Sequence, residues 1–150
     1  MLGLLFSLGR NRYAIDCRTV IEVLPGVELT QIPHAPAFVA GQFDYRGSIV
    51  PVIDLCQLVD KKPAEQVLST RIILLAYGGN GDTDLIGLMA EKVTEVRQLD
   101  SNAASEPPVA TPGAPYLGPL LTGEDGIVQF VNADMLLSRE VHEILFVQRG

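Results

Sequence analysis

The 150-residue chain has no tryptophan, two cysteines, two histidines and no long apolar run. Each shortage closes a class of function. A membrane-spanning helix needs ~18 or more consecutive apolar residues. The longest runs here, Ile72 to Tyr77 and the stretch around Val52, are of strand length, so no direct membrane insertion is expected. Met1 to Leu8 is apolar but lacks a basic lead and a small-residue cleavage site, and Arg10 and Arg12 follow at once, which predicts no signal peptide. Cys17 and Cys56 lie 39 positions apart with no Cys-x-x-Cys pair and no nearby histidine. They are expected to be reduced, buried thiols of a cytoplasmic protein. His34 has no converging ligands and His142 is 108 positions away, so neither metal binding nor acid–base chemistry is expected at either.

Basic charge is scarce as well. Eleven Lys and Arg face 18 Asp and Glu, a net charge of −7. Residues 1–75 carry seven of each sign and residues 76–150 carry four against eleven, so the second half supplies the whole excess. The only adjacent basic pair is Lys61-Lys62. Contact with phosphate backbones needs clustered Lys and Arg, which excludes nucleic acid as a partner. No carboxylate pair, Ser-His-Asp set, Cys-His set or metal cluster emerges, and the chain reads as a non-enzyme without a cofactor. The glycine cluster Gly78-Gly79-Asn80-Gly81-Asp82 is not a phosphate loop, because no Gly-Lys-Ser/Thr follows and it joins two strands; it reads as a hairpin turn.

What is present is organised around Gly41 to Leu55, GQFDYRGSIVPVIDL. A short run from Gln42 to Tyr45 reverses at Arg46-Gly47 and returns as the apolar run Ile49 to Ile53. Gly47 can take the positive φ that a tight hairpin demands. Pro51 cannot donate to a ladder, so the second strand is expected at a barrel seam or bulge. Asp54, with Gln57 three residues on, predicts the N-cap and capping box of a short helix over Leu55 to Val59.

Leu4, Phe6 and Leu8, with Tyr13 and Ile15, predict an N-terminal hairpin. Asp16 predicts the cap of a short helix whose apolar face is Val20, Val23 and Leu24, ended by Pro25-Gly26. Val27 to Ile32 reads as a strand, and Pro33 to Pro36 as a rigid extended connector. Arg71 to Tyr77 and Leu85 to Met89 form a hairpin, and Val93 to Leu99 a further strand. Asp100 to Pro115, with four prolines, reads as a surface loop. Tyr116 to Leu121 and Ile127 to Val131 make the last hairpin. Asn132 and Ser138 predict caps of two short helices, although Ile144 to Val147 fits a strand equally well. Short strands with turns every eight to twelve residues or so are the signature of small barrels, and the fold class is all-β.

A hairpin ending in Arg46-Gly47 followed by Ile49-Val50-Pro51-Val52-Ile53-Asp54-Leu55 resembles the central motif of the CheW-like adaptors of bacterial chemotaxis arrays. The resemblance extends through Phe6, Tyr13-Ala14-Ile15, Val20-Ile21-Glu22-Val23, Pro33 and Pro36 before Phe38-Val39, Gly87-Leu88, Val93, Glu95-Val96, Tyr116-Leu117 and Leu136-Leu137. It implies a single domain over residues 1–150 made of two five-stranded SH3-like barrels packed together, with short helices at connections and at the C-terminus.

The resemblance further implies a non-catalytic adaptor that couples the cytoplasmic tip of a transmembrane chemoreceptor to the regulatory domain of a CheA-type histidine autokinase. Such a protein is cytoplasmic and recruited to membrane-bound arrays. The residues it implies for partner binding are Val20, Glu22, Asp44, Tyr45, Arg46 and Gly47. Read from the residues alone, Glu22 is a solvated helix position and Arg46 a surface partner of Asp44; the resemblance is what gives them a binding role. Where the family commonly has Asn-Leu-Arg-Gly this chain has Asp44-Tyr45-Arg46-Gly47; Glu91 replaces an aspartate, and Gly118-Pro119 displaces a glycine. An adaptor of a surface-sensing or pilus-motility pathway, or a small-molecule-binding barrel, is the alternative.

Overall fold

A computed structural model describes residues 1–77, 84–100, 104–105, 113–123 and 126–146. Ten strands dominate: β1 (Leu2–Leu8), β2 (Asn11–Asp16), β3 (Val20–Leu24), β4 (Val39–Tyr45), β5 (Ser48–Asp54), β6 (Arg71–Tyr77), β7 (Asp84–Gln98), β8 (Ala104–Ser105), β9 (Leu117–Gly123) and β10 (Gly126–Val131). Two helices accompany them, α1 (Leu55–Asp60) and α2 (Arg139–Phe146). The all-β expectation, with short helices at a connection and near the C-terminus, is met.

Nine of the strands form two five-stranded units that share β7, and the two-residue β8 adds to the second at β9. In the first, β3 pairs with β6, β6 with β7, β7 with β5 and β5 with β4. In the second, β7 pairs with β1, β1 with β2, β2 with β10 and β10 with β9. The crossing point is visible in β7 itself. Asp84 to Ala90 face β6, Glu91 to Gln98 face β1, and Lys92 between them takes φ 50 beside a register shift opposite Leu5 and Ser7. The two strands expected over Leu85–Met89 and Val93–Leu99 are therefore one continuous strand with a kink.

The pattern of β1 explains how the barrels pack. Leu4, Phe6 and Leu8 join a large core with Ile53, Ile72, Ile73, Ile86 and Leu88, whereas Leu5 on the opposite face joins Ala14, Leu99, Leu121 and Val128. A strand covered on both faces reads as a near-continuous apolar run. Removing a leucine, isoleucine or phenylalanine side chain from water contributes ~1.5–3 kcal/mol, and Phe6, Leu5, Ile53, Ile72 and Leu88 are each no more than 1 % exposed.

The central hairpin forms as expected, and Pro51 is accommodated without loss. Gln42, opposite Pro51, gives both its N–H and its C=O to Thr30, so the Gln42–Pro51 pair exchanges no ladder bond; the parallel ladder to β7 begins only at Val52. Asp54 caps α1, its Oδ1 accepting the Gln57 N–H at 3.2 Å. The reciprocal half of the capping box is absent, because the Asp54 N–H goes to the Phe38 carbonyl at 2.8 Å. Its second oxygen accepts the Ala64 N–H at 3.0 Å.

Several connections differ from expectation. Asp16 caps only a 3-10 turn, Cys17–Thr19, and Val20–Leu24 is a strand, not a helix. Val27 to Ile32 is not a strand; its ladder contact is one isolated bridge, Thr30 to Gln42. Pro33-His34 turns instead of running extended, with His34 at φ 62. Within the expected surface loop, Ala104–Ser105 pairs with β9 and Ala114 is buried; residues 101–103 and 106–112 lie outside the described residues, as do the expected turn at 78–82 and residue 147. Asn132 caps a 3-10 turn, Ala133–Met135, while Ser138 accepts the Val141 N–H at 3.2 Å and α2 continues to Phe146 as a helix.

Candidate functional site

The tip of the β4–β5 hairpin is built from a two-residue turn in which Arg46 has φ 50 and Gly47 φ 91. Positive φ at both positions matches the right-handed twist of the flanking strands, the reason such turns close hairpins. Gly47 meets that demand at no steric cost, whereas an arginine there is strained. Asp44 Oδ1 accepts the Gly47 N–H at 2.7 Å and braces the turn.

Arg46 does not pair with Asp44: its guanidinium lies with Cζ 5.1 Å from the Tyr45 ring centroid and Nη2 3.7 Å from Glu22 Oε1. A guanidinium over an aromatic face gains cation–π attraction. The ion pair is longer than a hydrogen bond, and the Arg46 side chain is 77 % exposed, so the pair contributes ~0–1 kcal/mol to stability.

Glu22 reaches Arg46 from β3, at the other end of the first barrel's strand order. The 3-10 turn before β3 is fixed by Asp16, whose carboxylate accepts the Arg18 N–H at 2.9 Å and pairs with the Arg18 guanidinium at 2.8 Å. That guanidinium bond holds the Asp16 carboxyl below its ordinary range. Of the six residues singled out from sequence, Glu22, Tyr45 and Arg46 form one contact group. Asp44 and Gly47 shape the turn beneath it. Val20 is half-buried against the large core opposite Leu75, a supporting position.

Among the described residues no group of three or more His, Cys, Asp or Glu side chains converges to hold a metal ion. In the first barrel Val52, Ile53, Ile72, Ile86 and Leu88 are fully buried and belong to the large core, the side-chain filling expected of a small barrel. A surface cleft of about 610 Å³ among the described residues is lined by charged side chains including Arg10, Asp60, Lys62 and Glu91.

The model of the CheW-like domain matches residues 2–141. The chain belongs to the CheW-like family. Among CheW-like relatives, the chemotaxis protein CheW of Klebsiella aerogenes is 29 % identical over 139 residues, covering 91 % of this chain and 81 % of that protein. Protein FrzA of Myxococcus xanthus is also 29 % identical, over 104 residues, 69 % of this chain and 62 % of that protein. The crystal structure of the scaffolding protein TtCheW from Thermoanaerobacter tengcongensis superposes with a TM-score of 0.83 at 29 % identity, covering 96 % of this chain and 92 % of that one. The two-barrel CheW-like fold and the family drawn from the sequence are both borne out.

Sequence reasoning missed two things about the site. It read Glu22 on a helix, and it did not pair Glu22 with Arg46, 24 positions away.

Proposed function

We propose that the chain is a non-catalytic chemotaxis adaptor that couples the cytoplasmic tip of a chemoreceptor to the regulatory domain of a CheA-type histidine autokinase. The observation that carries this reading is the Arg46 turn. A left-handed arginine is a poor choice for stability, and its guanidinium is held by Tyr45 and loosely by Glu22 while remaining exposed. A planar, always-charged fork at such a place suits bidentate contact with carboxylates or helix-end carbonyls of a partner.

The mechanism is assembly. One surface docks the kinase's regulatory domain and the Arg46 group docks the receptor, so a receptor conformation with better contacts biases the kinase through a shared equilibrium. Contacts of this kind bury up to ~1,600 Å², with a few aromatic or arginine anchors carrying most of the energy. No helix among the described residues is long and apolar enough to cross a membrane. The protein acts in the cytoplasm, and its place at the array is by recruitment.

The test is reconstitution. Receptor-containing membranes and the autokinase from the same organism are combined with and without the protein, and phosphate incorporation into the kinase is followed. Receptor-dependent stimulation that requires the protein is expected; no stimulation, with no co-sedimentation, overturns the reading. An adaptor of a related surface-sensing or pilus-motility pathway is the second reading, which genomic neighbours decide.

A further inference from the structure

We propose that Ile21 is an apolar anchor of the partner contact beside Arg46, and that the partner offers it a helix surface carrying an apolar side chain next to a carboxylate. The inference rests on the receptor-docking role of the Arg46 face and adds to it a residue and a partner chemistry.

The placement of Ile21 comes from a bulge. Along the β3–β6 ladder Val20 is opposite Leu75 and Glu22 is opposite Leu74, so one step on β6 answers two on β3 and Ile21 is the extra residue. Regular alternation would send Val20 and Glu22 to the same face. The bulge breaks it, leaving Val20, Val23 and Leu24 packed on the core and Ile21 half-exposed at 50 %. The fold makes little use of this apolar side chain. Its sequence neighbour Glu22 reaches Arg46 at 3.7 Å, so the exposed isoleucine is one residue along β3 from the side chain that meets the guanidinium. An apolar contact flanked by arginine is the composition of an interface hot spot.

The same bulge says how the partner docks. Among the described residues β3 pairs with β6 alone and ends the strand order, so it is an edge there. A short, bulged edge is a poor template for an added strand, because the extra residue interrupts the run of backbone groups a new strand would need. Recognition there runs through side chains, as a helix surface provides. The free valence of Arg46 selects a carboxylate on that surface, placed to compete with or share the loose Glu22 contact.

Isoleucine also suits extended backbone, so the test must separate apolarity from β-propensity. Ile21→Thr keeps the branched shape and replaces part of the apolar surface with a hydroxyl; Ile21→Val keeps both. The probe is the soluble cytoplasmic fragment of a chemoreceptor encoded in the same genome, titrated calorimetrically at low and high salt. Ile21→Thr is expected to weaken binding about tenfold at both salts with an unchanged unfolding midpoint, and Ile21→Val to bind like the parent. Arg46→Ala is expected to weaken binding most at low salt. Parent-like binding by Ile21→Thr, with Arg46→Ala weakened, overturns the anchor and leaves the docking face. Parent-like binding by both variants, or no binding by the unmodified protein, overturns the anchor and the docking face together.

Discussion

Glu22 and Arg46 meet across the seam of the first barrel, Oε1 to Nη2 at 3.7 Å, one from the edge strand β3 and the other from the tip of the β4–β5 hairpin. With the two side chains 37 % and 77 % exposed, water screens most of the attraction. The contact orients the guanidinium more than it stabilises the barrel. Glu22→Gln is therefore expected to change unfolding free energy by less than about 1 kcal/mol, measured by urea denaturation. A larger loss would mean that the seam depends on this pair.

The turn beneath the pair trades stability for position. Asn is at ease with the positive φ that Arg46 adopts, so Arg46→Asn is expected to hold or raise stability by up to about 1 kcal/mol while weakening receptor binding. Chemical denaturation and a binding titration on one preparation check both halves. A variant that is destabilised by more than that would show that the arginine side chain supports the fold.

Asp54 is the structural counterpart of Arg46, at the other end of β5. It is 7 % exposed, and its two oxygens accept the Gln57 and Ala64 N–H groups. Asp54→Ala removes a helix cap and leaves a buried N–H unpaired, which is expected to cost about 2–4 kcal/mol. Asp54→Asn retains one acceptor and is expected to lose about half as much, read from the shift in the urea midpoint.

Cys56 sets an expectation for alkaline pH. Burial, then the nearby Glu91 and Asp54 carboxylates, push its thiol from the ordinary 9.0 up to about 12. A raised value in the folded state means that the stability it contributes is complete below pH 9.0 and falls as pH rises toward about 12, because the unfolded chain releases the proton first. The buried hydroxyls of Tyr13, Tyr77 and Tyr116 are raised as well and act in the same sense. In the native protein at pH 8 Cys56 is expected to resist an alkylating reagent and to react on unfolding; rapid native labelling would contradict its burial.

How far the sequence could be read depended on whether its local signals agreed. The central hairpin was legible because Gly47, the apolar run to Ile53 and the Asp54 cap all point the same way. β3 was misread for a physical reason: the bulge at Ile21 places Val20, Val23 and Leu24 on one side, which is also the spacing of a helix face. Leu85 to Leu99 looked like two strands because Glu91-Lys92 interrupts the apolar pattern where β7 crosses between barrels. The Glu22–Arg46 contact is tertiary, and nothing local to either residue encodes it. Arg46 itself was legible through the family motif, but its strained φ and its seat on Tyr45 were not.

The central claim is that Arg46 is a docking residue, and the affinity of Arg46→Ala for the receptor's cytoplasmic fragment tests it most directly. Calorimetric titration is expected to show binding weakened by about 2 kcal/mol or more, roughly thirtyfold, with the unfolding midpoint nearly unchanged and kinase binding affected less. Arg46→Lys is expected to recover little, since an ammonium lacks the planar fork. Receptor affinity equal to the parent's in a folded Arg46→Ala protein would contradict the account.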